Sequence, residues 1–158
     1  MSNPPEKDAI PQREGLTIVK FLTPLPCYKA VKVMNPKEYF QEVAELPYEQ
    51  AKTNVSETFY KIYEMSEEKR ADFMTELTIA LSETSEETQS KVIRARIEVL
   101  AEASEEMRSA IMAAWMKVAP RVPKAIRENE EKRVKQVVPT LSAPAKRMLQ
   151  EIGQRMQS

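Results

Sequence analysis

Histidine and cysteine, two residue types that often carry nucleophilic and metal chemistry, are almost absent from this chain. Its 158 residues include no histidine and one cysteine, Cys27. Histidine is the commonest general base and metal ligand, so its absence excludes Ser/His/Asp and Cys/His catalytic sets. A single cysteine cannot form a disulfide within the chain or build a cysteine-based zinc site.

Two further patterns with chemical potential have simpler interpretations. Glu128 and Glu131 are three apart on one predicted helix, which is usual for solvated surface glutamates as well as for paired carboxylates. Gly15 and Gly153 are the only glycines and are too far apart to form a phosphate-binding loop. The sequence therefore predicts a non-enzymatic protein with no catalytic residue, no cofactor and no metal ligand.

An acidic pentapeptide occurs three times at intervals of 19 residues, as "EMSEE" at 64–68, "ETSEE" at 83–87 and "EASEE" at 102–106. Serine is a preferred N-cap residue, and two glutamates in a first turn oppose the positive end of the helix dipole. Calcium loops need a tighter spacing of oxygen ligands, usually with a glycine. The pentapeptides therefore predict helix starts, although the glutamate that leads each one is not explained in this way.

The same 19-residue interval extends beyond the pentapeptides and predicts the elements that position them. Apolar residues recur on one face of each segment, and Pro120 and Pro139 stand where two of the helices should end. The sequence predicts an all-α domain over 35–158. It would contain six or seven short antiparallel helices, either as a helical-repeat array or as a compact bundle. The predicted segments begin at Pro47, Ser66, Ser85, Ser104, Pro123 and Ser142.

Residues 1–34 differ in composition from the rest of the chain. Pro24 and Pro26 interrupt any helix in the apolar stretch 15–34, and an isolated hairpin would be marginally stable. We therefore expect an extended or weakly structured N-terminal arm, packed on the protein's own helices or on a partner. Its apolar side chains are candidate partner-binding residues: Phe21, Leu22, Leu25 and Tyr28.

Charge is distributed unevenly although the total is zero. Residues 40–116 hold eight basic and sixteen acidic side chains, a net charge of −8, whereas residues 117–158 hold ten basic and four acidic, a net charge of +6. Such an asymmetry can orient a charged partner. The basic candidates for partner binding are Arg121, Lys124, Arg127, Lys132, Arg133 and Lys135.

These observations predict a protein–protein interaction module or a small accessory subunit of a larger assembly. It would bind through its N-terminal arm and its charged helix faces. The alternative is nucleic-acid binding through residues 117–135, although acids interrupt this basic segment and no aromatic residue follows Trp115. No signal peptide, transmembrane helix or small-molecule substrate is predicted. We expect the cytoplasm or another soluble reducing compartment.

Overall fold

Seven α-helices account for most of residues 35–157, the part of the chain described by the structure, which is a computed structural model. No β-strand occurs among these residues, so the predicted all-α class is confirmed. The helices are α1 (Pro36–Ala44), α2 (Tyr48–Glu64), α3 (Glu67–Ser82), α4 (Glu86–Glu102), α5 (Glu105–Val118), α6 (Lys124–Val137) and α7 (Ala143–Gln157).

The serines of the three pentapeptides are the N-caps of α3, α4 and α5, as the sequence predicts. The Ser66 hydroxyl accepts a hydrogen bond from a backbone N–H at 3.3 Å, and those of Ser85 and Ser104 do so at 3.1 Å. Thr84, which precedes Ser85, donates its hydroxyl to the Leu81 carbonyl at 2.7 Å and is not the cap. Two glutamates follow each serine in the first turn, where they oppose the helix dipole.

Proline ends α5 and α6 in the same way. Each helix passes into one turn of 3₁₀-helix, Ala119–Arg121 after α5 and Val138–Thr140 after α6, and each turn contains the proline predicted to stop the helix. Proline lacks the N–H that would continue the α-helical hydrogen bonds, and the tighter turn redirects the chain. In both cases the next helix begins four residues after the proline.

A recurring side chain connects each corner to the helix that precedes it. The residue four positions after the N-cap is Arg70 in α3, Gln89 in α4, Arg108 in α5 and Arg127 in α6. Each donates hydrogen bonds to carbonyls at the end of the preceding helix or in the link. The carbonyls of Ile62 and Leu100 also accept a hydrogen bond from the backbone N–H of the C-cap residue, and the side chains add hydrogen bonds that cap the helix ends from the next helix.

The most extensive helix contacts join helices that are next-but-one in sequence: α2 with α4, α3 with α5, and α4 with α6. Gln89, early in α4, meets Arg133, late in α6, whereas Arg96 further along α4 meets Glu130. The seven short helices within residues 35–157 match the number predicted from the sequence, and they pack mainly through these next-but-one contacts.

The interior of the helical domain is formed mainly by aliphatic side chains that the 19-residue pattern places on one face of each helix. Ile62 of α2, Ile93 of α4, Met107 of α5 and Val118 at the end of α5 are almost fully buried. The central helix α4 has the longest run of buried residues, and it contacts α1, α2, α6 and α7. The domain is thus organised around α4.

Candidate functional site

The structure addresses only some of the residues singled out by the sequence. Phe21, Leu22, Leu25 and Tyr28 lie outside the described residues, so their role in partner binding stays a prediction. The six basic candidates between 121 and 135 are all described, and they differ widely in their surroundings.

Arg133 is a structural residue, only 4% exposed. Its Nε donates to Gln89 Oε1 at 3.1 Å, and its Nη2 lies 3.0 Å from a carboxylate oxygen of Glu86. Arg127 is exposed, yet its Nη1 donates to the carbonyls of Ala119 at 3.0 Å and Val122 at 2.7 Å. The guanidinium groups of Arg127 and Arg133 are therefore engaged within the domain.

The other four basic candidates are exposed. Arg121 forms an ion pair with Asp72 at 2.7 Å, and Lys124 lies 3.8 Å from Glu128 one turn along the same helix. Lys132 and Lys135 are exposed on α6. The six residues therefore do not form one continuous basic surface. The lysines of α6 lie on the outside of the domain.

Part of the charge asymmetry along the chain is compensated inside the domain. Lys117 near the end of α5 lies 3.4 Å from Glu67 at the start of α3. Together with the Arg121 and Arg133 pairs, this places basic residues of 117–133 beside acidic residues of 67–86. Likewise the leading glutamate of the third pentapeptide, Glu102, pairs with Lys52 at 2.8 Å, which raises the pKa of the lysine.

The outer face of α2 combines aromatic and acidic side chains. Tyr60 is 58% exposed and Tyr63 is 37% exposed. They are three residues apart on one helix face, and the exposed carboxylates of Glu57 and Glu64 flank them. Exposed tyrosines so close together are unusual for a surface that contacts only water, because aromatic residues are enriched at protein interfaces.

A cleft of about 520 Å³ lies within the helical domain, and all seven helices contribute side chains to it. Aliphatic residues that are almost fully buried form its floor, among them Ile62, Val92 and Ile111. The remaining apolar lining residues are half-buried and come from α3, α5, α6 and α7: Leu77, Met112, Trp115, Val134, Leu149 and Ile152.

Charged groups enter this cleft from α4 and α6. The Arg96 guanidinium donates from Nη1 to Glu130 Oε2 at 3.1 Å and lies 5.5 Å from the centre of the Trp115 ring. The side chain of Arg96 is 23% exposed and that of Glu130 is 10% exposed. Sequence reasoning did not select Arg96, Trp115 or Glu130; the available signal was an arginine within the apolar stretch "VIRARIEVL" at 92–100.

Two tyrosines, one buried (Tyr39) and one half-buried (Tyr48), have altered acidity. Burial raises the pKa of Tyr39 to about 12, and the hydrogen bond between its hydroxyl and the Thr58 hydroxyl, at 3.1 Å, only partly opposes this shift. Burial also raises the pKa of Tyr48, whose ring packs against the guanidinium of Arg94 at 3.9 Å. Both tyrosines therefore remain protonated near neutral pH.

No group of three or more carboxylate or cysteine side chains within 35–157 is arranged to hold a metal ion. Within the same range, every helix is too short or too polar to cross a lipid bilayer.

Comparison of the chain with protein-family models, curated proteins and solved structures finds no match. The function proposed below therefore rests on the residues of this chain and on their geometry.

Proposed function

We propose that the protein is a non-enzymatic protein–protein interaction module, or an accessory subunit of a larger assembly. Its N-terminal arm would anchor a partner through Phe21, Leu22, Leu25 and Tyr28, and charged helix faces would orient that partner. The single observation that carries the proposal is the outer face of α2, where Tyr60 and Tyr63 are exposed beside acidic residues.

The chemistry of this face indicates the kind of partner that would fit it. A tyrosine offers a large, rigid apolar ring and a hydroxyl, so it contributes contact area at low conformational cost. Glu57 and Glu64 next to the rings favour a partner that is basic around an apolar centre. The acidic middle of the chain would then bind a basic region, as the sequence-based hypothesis requires.

The test is affinity purification of tagged full-length protein from its own cells, comparing the wild type with two variants. Tyr60→Ser/Tyr63→Ser removes the aromatic rings, and Met116→Gln removes another exposed apolar side chain, 59% exposed on α5. We expect a co-purifying protein that is lost with the tyrosine variant and retained with the methionine variant. Equal recovery from all three forms would refute a role for the α2 face.

The arm is tested separately in the same assay. Phe21→Ser/Leu25→Ser in the full-length chain should release the same partner without changing the thermal midpoint of the helical domain. Loss of the partner together with a lower midpoint would indicate that the arm belongs to the protein's own core. Retention of the partner would remove the arm from the proposal.

Nucleic-acid binding through residues 117–135 is the alternative, and the exposure of Lys124, Lys132 and Lys135 favours testing it. Arg133 is unsuitable for charge reversal because it is buried, so the informative variant is Lys124→Glu/Lys132→Glu/Lys135→Glu. Nucleic-acid binding should weaken steeply with added salt and disappear in this variant. Binding that survives all three reversals would exclude the segment.

A further inference from the structure

We propose that the cleft in the helical domain binds an elongated aliphatic molecule that ends in a single carboxylate, of the long-chain fatty acid class. The proposal goes beyond protein–protein interaction and rests on a different part of the molecule. Three properties of the cleft support it: its volume, the aliphatic floor, and the placement of charged side chains where α4 meets α6.

The volume and the floor suit a hydrocarbon chain. The cleft measures about 520 Å³, within the range of roughly 300–1,000 Å³ that is typical of small-molecule pockets. Ile62, Val92 and Ile111 on the floor offer no hydrogen-bonding side-chain group, so a polar ligand would lose its hydration there without compensation. A hydrocarbon chain gains from leaving water, by roughly fourfold in affinity for each buried methylene group.

The hydroxyl groups among the other lining residues are hydrogen-bonded to protein groups, so they add no charge to the aliphatic part of the cleft. Tyr39 and Thr58 satisfy one another through their hydroxyl groups at 3.1 Å. The Thr78 hydroxyl donates to the carbonyl of Met74 in its own helix at 2.8 Å. Neither pair presents a charge to the cleft, so the charged lining is confined to α4 and α6.

Arg96 is the group that would receive the carboxylate. Its bond to Glu130 is the only hydrogen bond it makes to residues within 35–157, and it uses one nitrogen of the guanidinium. The planar guanidinium matches a carboxylate geometrically and can bind it through two N–H groups. Trp115 lies against the same guanidinium and restricts its motion.

The same arrangement disfavours a ligand that ends in an ammonium group. Glu130, the nearly buried carboxylate, is already paired with Arg96. Glu131 at the rim is exposed, and Arg127 lies one turn before it on the same helix and also borders the cleft. An ammonium would therefore meet one engaged carboxylate and one solvated carboxylate, whereas a carboxylate would meet the guanidinium of Arg96.

The first experiment is calorimetric titration of the full-length protein with dodecanoate, dodecanol and dodecylamine, each below its micelle concentration, and with decanoate. We expect dodecanoate to bind about tenfold tighter than dodecanol, because a charged hydrogen bond contributes roughly this factor at a half-exposed site. Decanoate should bind about fifteenfold weaker than dodecanoate, since it buries two fewer methylene groups. Tighter binding of dodecylamine, or no binding of any of the four, would overturn the proposal.

Variants then locate the site. Arg96→Gln/Glu130→Gln replaces the ion pair by two neutral amides, so no buried charge is left unpaired. This variant should bind dodecanoate about tenfold weaker, and its affinity for dodecanol should be unchanged.

Val134→Trp should block all the ligands by filling the cleft from its half-buried wall, whereas Met116→Trp, outside the lining, should not. If the double variant does not fold, the Val134→Trp and Met116→Trp variants still show whether the ligands bind in the cleft. Unchanged binding to Val134→Trp would exclude the cleft.

Discussion

Arg70, Arg108 and Arg127, which donate hydrogen bonds to carbonyls at the end of the preceding helix or in the link, are the corner-capping arginines. They offer a direct test of how this fold is stabilised, and Arg108 is the best position for that test. Its Nε donates to the carbonyl of Leu100 at 3.0 Å, and its Nη2 donates to that of Ala103 at 3.1 Å; a third contact, to Ala101, is longer at 3.4 Å. These carbonyls belong to the last turn of α4 and to its C-cap residue, Ala103. Replacing Arg108 by methionine keeps the length of the side chain and its helix propensity, so the change removes mainly the hydrogen bonds.

The expected loss follows from the two shorter contacts. A hydrogen bond from a charged group contributes about 1.5–3 kcal/mol, but Arg108 is half-exposed and water can replace it in part. We therefore expect Arg108→Met to lower the free energy of unfolding by about 2–3 kcal/mol. For a helical domain of this size the midpoint of thermal unfolding should fall by roughly 10 °C.

The assay is urea unfolding followed by far-ultraviolet circular dichroism. Arg147→Met is the matched control, because Arg147 is exposed on α7, and it should change the free energy of unfolding by less than about 0.5 kcal/mol. Arg108→Lys should recover part of the loss, since Lys91 caps the end of α1 in a comparable way with a 2.7 Å bond to the Leu46 carbonyl. Indistinguishable losses for Arg108→Met and Arg147→Met would refute the capping role.

Two further predictions concern buried polar groups. Burial raises the pKa of Tyr39 from 10.0 to about 12, so the folded protein keeps a proton that the unfolded chain loses above pH 10, and stability should fall by about 2 kcal/mol between pH 10 and 12. Tyr39→Phe should flatten this fall in urea unfolding measured across that range, whereas Tyr60→Phe, at the surface, should leave it unchanged. Arg133→Met should destabilise the protein by about 3 kcal/mol, because it removes hydrogen bonds made by a buried side chain. Lys132→Met, at the exposed neighbouring position, should cost less than about 0.5 kcal/mol. Equal melting temperatures for these two variants would contradict the buried role of Arg133.

The boundaries of the helices were predictable because they depend on local chemistry. A serine hydroxyl that accepts a bond from the N–H three residues later needs no tertiary contact, so Ser66, Ser85 and Ser104 identify helix starts from sequence alone. The same holds for Pro120 and Pro139, whose effect on the backbone is intrinsic. Regular spacing of these signals therefore predicted the period correctly.

The links did not predict that the most extensive contacts join next-but-one helices. A link of a few residues is compatible with an antiparallel hairpin and also with a corner at a large angle, so its length does not decide between them. The corner-capping residues Arg70, Gln89, Arg108 and Arg127 were missed for a related reason. A charged side chain one turn into a helix normally indicates solvent exposure, and only the folded corner brings the preceding carbonyls within its reach.

The cleft could not be predicted from the sequence, because side chains from all seven helices together form it. Each apolar lining residue is an ordinary core position when its helix is considered alone. The exception is Arg96, whose guanidinium lies among aliphatic side chains and needs the carboxylate of Glu130 to be accommodated. The separation between them, 34 residues, carries no local signal.

Pairing between next-but-one helices also changes the meaning of the charge reversal after residue 116. The end of α5 and the turn after it lie beside the start of α3, where Lys117 pairs with Glu67 and Arg121 pairs with Asp72. The basic residues at this corner therefore complement acids about 50 residues earlier in the same chain. An external electrostatic partner must use charges outside these pairs. On the acidic side these include the carboxylates that flank Tyr60, which is why the α2 face is the more informative surface to mutate first.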